Sequence, residues 1–290
     1  MSTTTLKRPA TETRAIERTF KAMPTSDGAG VKLNRVIGRP GLPDLDPFLL
    51  LDEFRSEDGA DYIAGFPDHP HRGFETVTYM LAGRMRHGDN KGNVGLLGPG
   101  SVQWMTAGRG IVHSEMPEQE DGLMQGFQLW VNLPAKDKMT APRYQDIDPK
   151  DIPSLVLDGG VRVKVIAGEV NGTKGAVDTG VTEPTYLDVV LPAGASFAHP
   201  VKLGHSAFVY VYDGSVSVGD QKLAHKLERA ELGVLSDGEN IEVVAGDAGA
   251  KVLIVAGKPL GEPVARHGPF VMNTMAEIRQ AAEDYMAGKF

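Results

Sequence analysis

Residues 69–81 read HPHRGFETVTYML, and this stretch joins a histidine pair directly to a β-branched and aromatic run. Side chains two apart on a β-strand point to the same face, so His69 and His71 are predicted to enter one cavity. Pro70 between them fixes the local backbone and helps to hold the two rings in place. The following run, Glu75 to Leu81, has the residue types that favour a strand. The stretch therefore predicts a β-protein that carries its chemistry on strands.

A second pair of ligand-type residues, His113 and Glu115, is again two apart. Two strands can thus deliver three imidazoles and one carboxylate to a six-coordinate metal ion, with room left for water or substrate. Imidazole binds divalent iron, copper, nickel and zinc, and the carboxylate favours iron or manganese. A lone histidine in a strand is more often a hydrogen-bonded core or surface residue. Two coinciding same-face pairs favour the metal site instead.

Three other polar residues near these pairs have less certain roles. Glu75 lies four residues after His71 and is predicted either to act as a fifth ligand or base beside the metal, or to be an orienting or surface carboxylate. His87 and Asp89 are assigned to a polar loop, where they could line the mouth of a pocket. Because loops are mostly hydrated, solvent exposure is the expectation for both.

Composition excludes several classes of protein. The 290 residues carry a net charge of −8 with a pI near 5.5, which argues against direct, phosphate-driven nucleic-acid binding. The absence of cysteine excludes disulfides, thiolate zinc sites and a thiol nucleophile. The segment from Met1 to Arg14 lacks the apolar core of a secretory signal, and no apolar run approaches the ~20 residues that span a bilayer. A cytoplasmic protein without a membrane partner is expected.

Short apolar runs separated by Gly, Pro and Asp predict an all-β protein of two tandem jelly-roll barrels. From Pro134 to Pro153 the composition shifts to Lys, Asp and Pro, which divides the chain into domains at 1–140 and 141–290. Ala82-Gly83 and Asp213-Gly214 are predicted to end equivalent strands in the two halves. The predicted strands are Val31–Ile37, Glu75–Leu81, Val94–Leu97, Val102–Met105, Ile111–His113, Gln125–Leu133, Val161–Ala167, Thr185–Leu191, Ala207–Tyr212, Ser215–Val218, Ile241–Ala245 and Lys251–Ala256.

The C-terminal segment has a helical pattern instead. Thr274 and Glu277 form the spacing of a capping box, and Gly288 is placed to end the helix. One apolar face is predicted from Met275, Ile278, Ala282 and Tyr285.

The histidines of the second half form no comparable ligand set. His199 and His205 are six apart, with no partner pair like that of the first half. The second barrel is therefore expected to hold no metal.

Five motifs resemble those of the pirin family of bicupins, and the resemblance runs from about residue 30 to the end of the chain. It implies two cupin barrels with one Fe(II) in the N-terminal domain, while Mn, Ni, Cu or Zn remain alternatives. By match to the family motif the ligands are His69, His71, His113 and Glu115, and Glu75 is not normally among them. The motifs are DPFLLLDEF (46–54), HPHRGFETVTY (69–79), WMTAGRGIVHSE (104–115), QLWVNLP (128–134) and GPFVMNT (268–274).

The resemblance implies a dioxygenase similar to quercetin 2,3-dioxygenase, which cleaves the flavonol heterocycle and releases carbon monoxide. Glu115 is then the predicted catalytic residue, because it could take the proton of the flavonol 3-hydroxyl. Apolar walls for an aromatic substrate are predicted from Phe66, Phe74, Trp104 and Met105, each of which is individually more typical of ordinary core.

Two alternatives stay open at this point. Some pirins resemble redox-responsive regulators that bind a transcription factor or a metabolic enzyme, and a change of iron charge near Glu115 and Arg109 could shift a loop. The other alternative is a metal-binding cupin whose substrate is not a flavonol.

Overall fold

The computed structural model describes residues 12–220 and 224–290. Most of the segment from Met1 to Arg14, which the sequence predicts not to be a secretory signal, lies outside the described residues. Strands dominate, and they form two cupin-type barrels followed by one helix at the C-terminus. The all-β prediction with a C-terminal helix is confirmed. Within the described residues, no helix has the length and apolarity that crossing a bilayer requires.

The first half of the chain contributes twelve strands and two short 3₁₀ helices within the described residues. The 3₁₀ helices span Gly59–Asp61 and Ala135–Asp137. The strands are β1 (Ile16–Lys21), β2 (Met23–Asp27), β3 (Val31–Ile37), β4 (Phe48–Ser56), β5 (Phe66–His71), β6 (Phe74–Ala82), β7 (Met85–Asp89), β8 (Val94–Leu97), β9 (Val102–Thr106), β10 (Ile111–Pro117), β11 (Met124–Asn132) and β12 (Arg143–Ile147).

The second half adds two more 3₁₀ helices, Pro149–Asp151 and Asp158–Gly160, and one α-helix, α1 (Met275–Met286). Its strands are β13 (Ser154–Val156), β14 (Arg162–Ala167), β15 (Glu169–Val170), β16 (Thr173–Lys174), β17 (Thr185–Leu191), β18 (Ser196–Pro200), β19 (Ser206–Val218), β20 (His225–Glu228), β21 (Glu231–Leu235), β22 (Asn240–Gly257), β23 (Ala265–His267) and β24 (Phe270–Met272).

Two sheets face each other in the first barrel. The larger has the order β12-β9-β6-β11-β4-β3-β2, and the smaller has the order β5-β10-β7-β8. The turn from β5 into β6 requires Gly73, whose φ is 90° and where a Cβ atom would lie 2.0 Å from the Val271 carbonyl oxygen. This close turn places the histidine pair of β5 directly before the buried strand β6 of the larger sheet.

The second barrel is filled by aliphatic side chains. Its main sheet has the order β1-β21-β19-β22-β17-β14-β13. In addition, β18 pairs with β22, and β20 pairs with β19. Buried valine, leucine and isoleucine residues occupy the interior. The interiors of the two barrels therefore differ: polar side chains lie inside the first barrel, and aliphatic side chains fill the second.

An aromatic layer joins the barrels. It forms a single buried cluster with residues from both halves, among them Tyr79, Phe127, Tyr186, Phe208 and Tyr210. In β6 the alternation of side chains sends Tyr79 to this interface and Thr78 to the interior of the first barrel. One strand thus supplies both the interface and the site.

Each barrel contains one strand from the other side of the predicted boundary at residue 140. β1 pairs with β21 in the sheet of the second barrel, and β12 pairs with β9 in the first. β12 lies inside the segment from Pro134 to Pro153, whose composition marks the predicted boundary. The division of the chain at residue 140 stays a prediction of its organisation.

Several predicted strands are confirmed and others are longer than predicted. Val31–Ile37, Val94–Leu97 and Thr185–Leu191 have the predicted bounds. Asp213-Gly214 does not end a strand, because β19 continues through it with shifts of register on both sides. Likewise β22 runs through the glycine-rich segment that follows residue 245. In both places the register of the pairing shifts at an irregularity, and the pairing of β19 with β22 resumes beyond it.

The C-terminal helix begins as predicted but packs differently. Both hydrogen bonds of the capping box are present: the Thr274 side chain accepts from the backbone N–H of Glu277, and the Glu277 side chain accepts from the backbone N–H of Thr274. Ile278 and Ala281 are buried, whereas Met275 is 51% and Tyr285 is 40% exposed. The predicted apolar face is therefore wrong at Met275, whereas the ring of Tyr285 still contacts Phe270 of β24, on which the helix packs.

Candidate metal centre

Two antiparallel strands bring the predicted histidines together. β5 pairs with β10 so that His69 lies opposite His113, and His71 lies opposite Ile111. His71 and His113 are buried, and His69 is half-buried. Since His69 and His71 share a strand face, three imidazoles from two strands converge at one point.

The distances suit a shared metal ion. The Nε2 atoms of His69 and His71 are 3.1 Å apart, and the three ligand atoms, with that of His113, all lie within 4.8 Å of one another. Two nitrogens at about 2.1 Å from one ion, and at right angles, would lie about 3.0 Å apart. The three-histidine group is therefore able to hold a metal.

The protonation of the rings also fits a metal. Burial and the neighbouring histidine charges hold the pKa of both His71 and His113 well below the usual range. Nε2 of His113 is buried without a hydrogen-bond partner. A neutral imidazole with a free lone pair is the form that binds a metal ion.

His87 also belongs to the site, although the sequence predicts that it is exposed to solvent. It is only 2% exposed, and its Nε2 lies 3.1 Å from Nδ1 of His113. The expectation of exposure is wrong because β7 runs to Asp89 and pairs with β10, which sets His87 opposite Glu115. Asp89 is half-buried and caps the following turn by accepting from Asn93. If Nδ1–H of His113 donates to His87, Nε2 of His113 is left free for metal.

Replacing His87 by phenylalanine is expected to weaken metal binding about 10- to 100-fold, the usual cost of losing a partner that orients a ligand. Phenylalanine fills the buried space but removes the acceptor, whereas His87→Gln retains an oxygen that can accept from His113. Competition with a metal-sensing dye measures the affinity of both variants. Wild-type affinity in the phenylalanine variant would rule out this role for His87.

Glu115 lies beside the histidine group but is not part of it. Its Oε1 accepts from Thr78 Oγ1 at 2.9 Å, and its Oε2 accepts from Gln128 Nε2 at 3.0 Å. The side chain is 2% exposed. Its roles as fourth ligand and as catalytic residue stay predictions. Sequence reasoning missed Thr78 and Gln128, although each is a polar residue alternating with apolar ones in a strand.

Glu75 has a different environment. It is 5% exposed, and its Oε1 accepts from Thr106 Oγ1 at 2.6 Å on the neighbouring strand β9. Burial raises the pKa of this carboxyl, and hydrogen bonds from Thr106 and Trp104 oppose the rise. The structure places Glu75 with these partners and not among the clustered histidines.

A cavity of about 560 Å³ opens beside the histidines. Its lining includes His69, His71, Phe66, Trp130 and Arg266. A small inner cavity of about 20 Å³ reaches Glu115, and Phe66, Gln128 and Trp130 line both spaces. The site is therefore accessible through an opening with aromatic and charged walls.

Of the four predicted wall residues, only Phe66 lines these cavities. Phe74 is fully buried behind His71, with ring centroids 5.1 Å apart. Trp104 belongs to the layer between the barrels, and Met105 packs with a separate small cluster. The prediction is wrong for these three because each packs within the protein core, and strand alternation places the neighbours Trp104 and Met105 in two different clusters.

The histidines of the second barrel are separate. His199 is 3% exposed and stacks on Phe197, and burial lowers its pKa to about 4. Within the described residues, the cluster able to hold a metal consists of His69, His71 and His113.

Known proteins match both halves of the chain. The Pirin family model covers residues 30–131, and the model of the pirin C-terminal cupin domain covers residues 186–290. A crystal structure of quercetin 2,3-dioxygenase from Acinetobacter baumannii superposes with a TM-score of 0.87, at 36% identity over 96% of this chain and 98% of that one.

Two curated relatives are more similar in sequence. A Pseudomonas aeruginosa protein, whose name assigns it provisionally as a quercetin 2,3-dioxygenase, is 53% identical over 91% of this chain and 94% of its own length. A pirin-like protein of Caulobacter vibrioides is 53% identical over 96% of this chain and 99% of its own. With both family models matched in order and relatives covered over nearly their whole length, the chain belongs to the pirin family.

Proposed function

We propose that the protein is a metal-dependent dioxygenase that cleaves a flavonol such as quercetin and releases carbon monoxide. The observation that carries the proposal is the convergence of three imidazoles, from His69, His71 and His113, beside an open cavity with aromatic walls. The names of the similar Pseudomonas and Acinetobacter proteins support the same reaction class.

The proposed ligand set is these three histidines and Glu115. Three nitrogens and one carboxylate oxygen favour iron(II), with manganese, nickel, copper and zinc as alternatives. When bound, such an ion supplies Lewis acidity towards the substrate hydroxyl and redox chemistry towards dioxygen. A cytoplasmic location is part of the proposal.

Glu115 is the proposed acceptor of the proton that leaves the flavonol 3-hydroxyl. Thr78 and Gln128 each donate to one of its oxygens, so the carboxylate has a fixed orientation. Gln128 in turn accepts from Trp130 Nε1 at 3.4 Å. Gln128 thus links Glu115 to Trp130 in the wall of the cavity. A substrate bound along that wall would have its hydroxyl close to a carboxylate that is already oriented to accept the proton.

The cavity has the size and lining of a small-molecule site. Its volume of about 560 Å³ falls within the range usual for ligand pockets, about 300–1,000 Å³. Phe66 and Trp130 offer aromatic surface, and the rings of Trp130 and His71 are 5.3 Å apart in an edge-to-face arrangement. A planar aromatic substrate could therefore contact Trp130 and reach the histidines together.

Oxygen consumption tests the proposal directly. Protein reconstituted with Fe(II) and given quercetin is expected to take up dioxygen, lose the flavonol absorbance in parallel and release carbon monoxide, whereas metal-free protein should do none of these. If protein shown to hold one iron per chain takes up no oxygen with quercetin, flavonol cleavage is wrong. The redox-responsive regulator and a non-flavonol substrate would then be the functions to test.

A further inference from the structure

An arginine from the second half of the chain lies in the wall of the cavity beside the histidines. Arg266 belongs to β23 and is half-buried. Its guanidinium carbon lies 4.8 Å from the centroid of the Trp130 ring, and Nη1 donates to the Leu49 carbonyl at 3.1 Å. Among the described residues, no carboxylate forms an ion pair with it. A guanidinium has five N–H donors, so most of those of Arg266 remain free.

The other arginine of this cavity is neutralised. Arg35 binds Asp52 through two nitrogens, at 2.9 and 2.8 Å, and Asp27 at 2.7 Å. The remaining carboxylate of the lining, Asp68, is exposed at the rim, where solvent screens its charge. Arg266 is therefore the cation of the described lining that is available to a ligand.

We propose that Arg266 and Trp130 form a subsite for a carboxylate carried by a planar aromatic ligand. The inference rests on the proposed function in that it places an aromatic ligand in the same cavity, and it adds a carboxylate, which quercetin lacks, as a group that the cavity can bind. Trp130 contacts both His71 and Arg266, but it is only 8% exposed and Phe74 packs 4.3 Å from its ring. A planar ligand that meets its exposed edge can present one group to the histidines and another to the arginine.

A carboxylate fits this position better than a phenol does. Two parallel N–H groups of a guanidinium match the two oxygens of a carboxylate. A simple phenol, with a pKa of about 10, is neutral at pH 7 and would accept only one hydrogen bond. Burial and the nearby Arg35 lower the pKa of Arg266, although Asp52, Asp27 and Asp44 act in the opposite direction without pairing with it. A bound anion would therefore add to a compensation that these carboxylates leave incomplete.

The test compares naphthalene-2-carboxylate with naphthalene-2-carboxamide by calorimetric titration of the Fe(II)-loaded protein without oxygen. The wild-type protein is expected to bind the acid about tenfold or more tightly than the amide, as charged hydrogen bonds imply. Arg266→Gln should make the two affinities equal. Arg279→Gln removes the same charge from an exposed position on α1 and should keep the preference.

Equal affinities in the wild type, or a preference that survives in Arg266→Gln, would overturn the subsite. Survival would mean that the acid binds elsewhere, for example directly at the metal. Because binding is measured without oxygen, the result is independent of turnover. If the binding preference is absent but oxygen uptake with quercetin is intact, the subsite is wrong and the proposed activity is unaffected. If oxygen uptake is absent, the preference for the acid over the amide can still be measured.

Discussion

Replacing His71 by alanine is expected to weaken metal binding by more than about a hundredfold and to reduce oxygen uptake to that of metal-free protein. Loss of a partner that only orients a ligand costs about 10- to 100-fold, and loss of a ligand itself should cost more. His71 contributes one of three converging imidazoles, and its neighbours Phe74 and Trp130 carry no group that could replace it. Metal content by elemental analysis and oxygen uptake with quercetin measure the two effects.

His199→Ala is the matched control. His199 and His71 are both 3% exposed, so each substitution truncates a buried imidazole to a methyl group. Only His71 belongs to the three-histidine cluster, so the His199 variant should bind metal as the wild type does. Unchanged metal content in a folded His71→Ala protein would contradict the proposed site, and equal losses in both variants would point to a general loss of structure.

The histidine cluster could be predicted because its spacing is local. His69 and His71 are two apart on one strand, and period-two alternation alone puts them on one face. His87 could not be found in this way, because a string of polar residues follows it and resembles a loop. Its place is decided by pairing with β10, whose His113 is 26 residues away in the chain.

Long-range contacts explain the other residues that the sequence did not indicate. Arg266 meets Leu49 and Trp130 although 217 residues separate it from Leu49. The pairing of β1 with β21 is similarly remote in sequence, because Ile16 lies opposite Leu235. Local patterns predict strands, turns and caps, whereas the partners of a strand depend on the whole sheet.

The interface between the barrels contains a buried carboxylate that ties the two halves together. Asp188 of the second barrel is 5% exposed. It accepts hydrogen bonds from the Tyr79 hydroxyl of the first barrel and the Tyr212 hydroxyl of its own barrel. Burial raises the pKa of Asp188, and these two hydroxyls oppose the rise. The two hydrogen bonds thus stabilise the folded protein, whereas burying the charge of the carboxylate destabilises it.

Replacing Asp188 by alanine is expected to lower the free energy of unfolding by about 3 kcal/mol or more. The change leaves two buried tyrosine hydroxyls without their acceptor, at about 1–3 kcal/mol each. Asp188→Asn keeps one acceptor oxygen and removes the charge, so its loss should be smaller. Urea denaturation at pH 7 compares the variants. Asp213→Ala removes a half-exposed carboxylate paired with Lys251 and should cost less than about 1 kcal/mol.

The charge of Asp188 also predicts how stability changes with pH. A carboxyl whose pKa is higher in the folded state than its unfolded value of about 3.9 holds its proton more tightly when folded. Its contribution is therefore fully present below about pH 4 and is lost as pH rises through the folded pKa. Relative to Asp188→Asn, the wild type should lose stability as pH rises from 4 towards 7. A wild type that gains stability over this range relative to the variant would mean that the tyrosine hydrogen bonds outweigh burial.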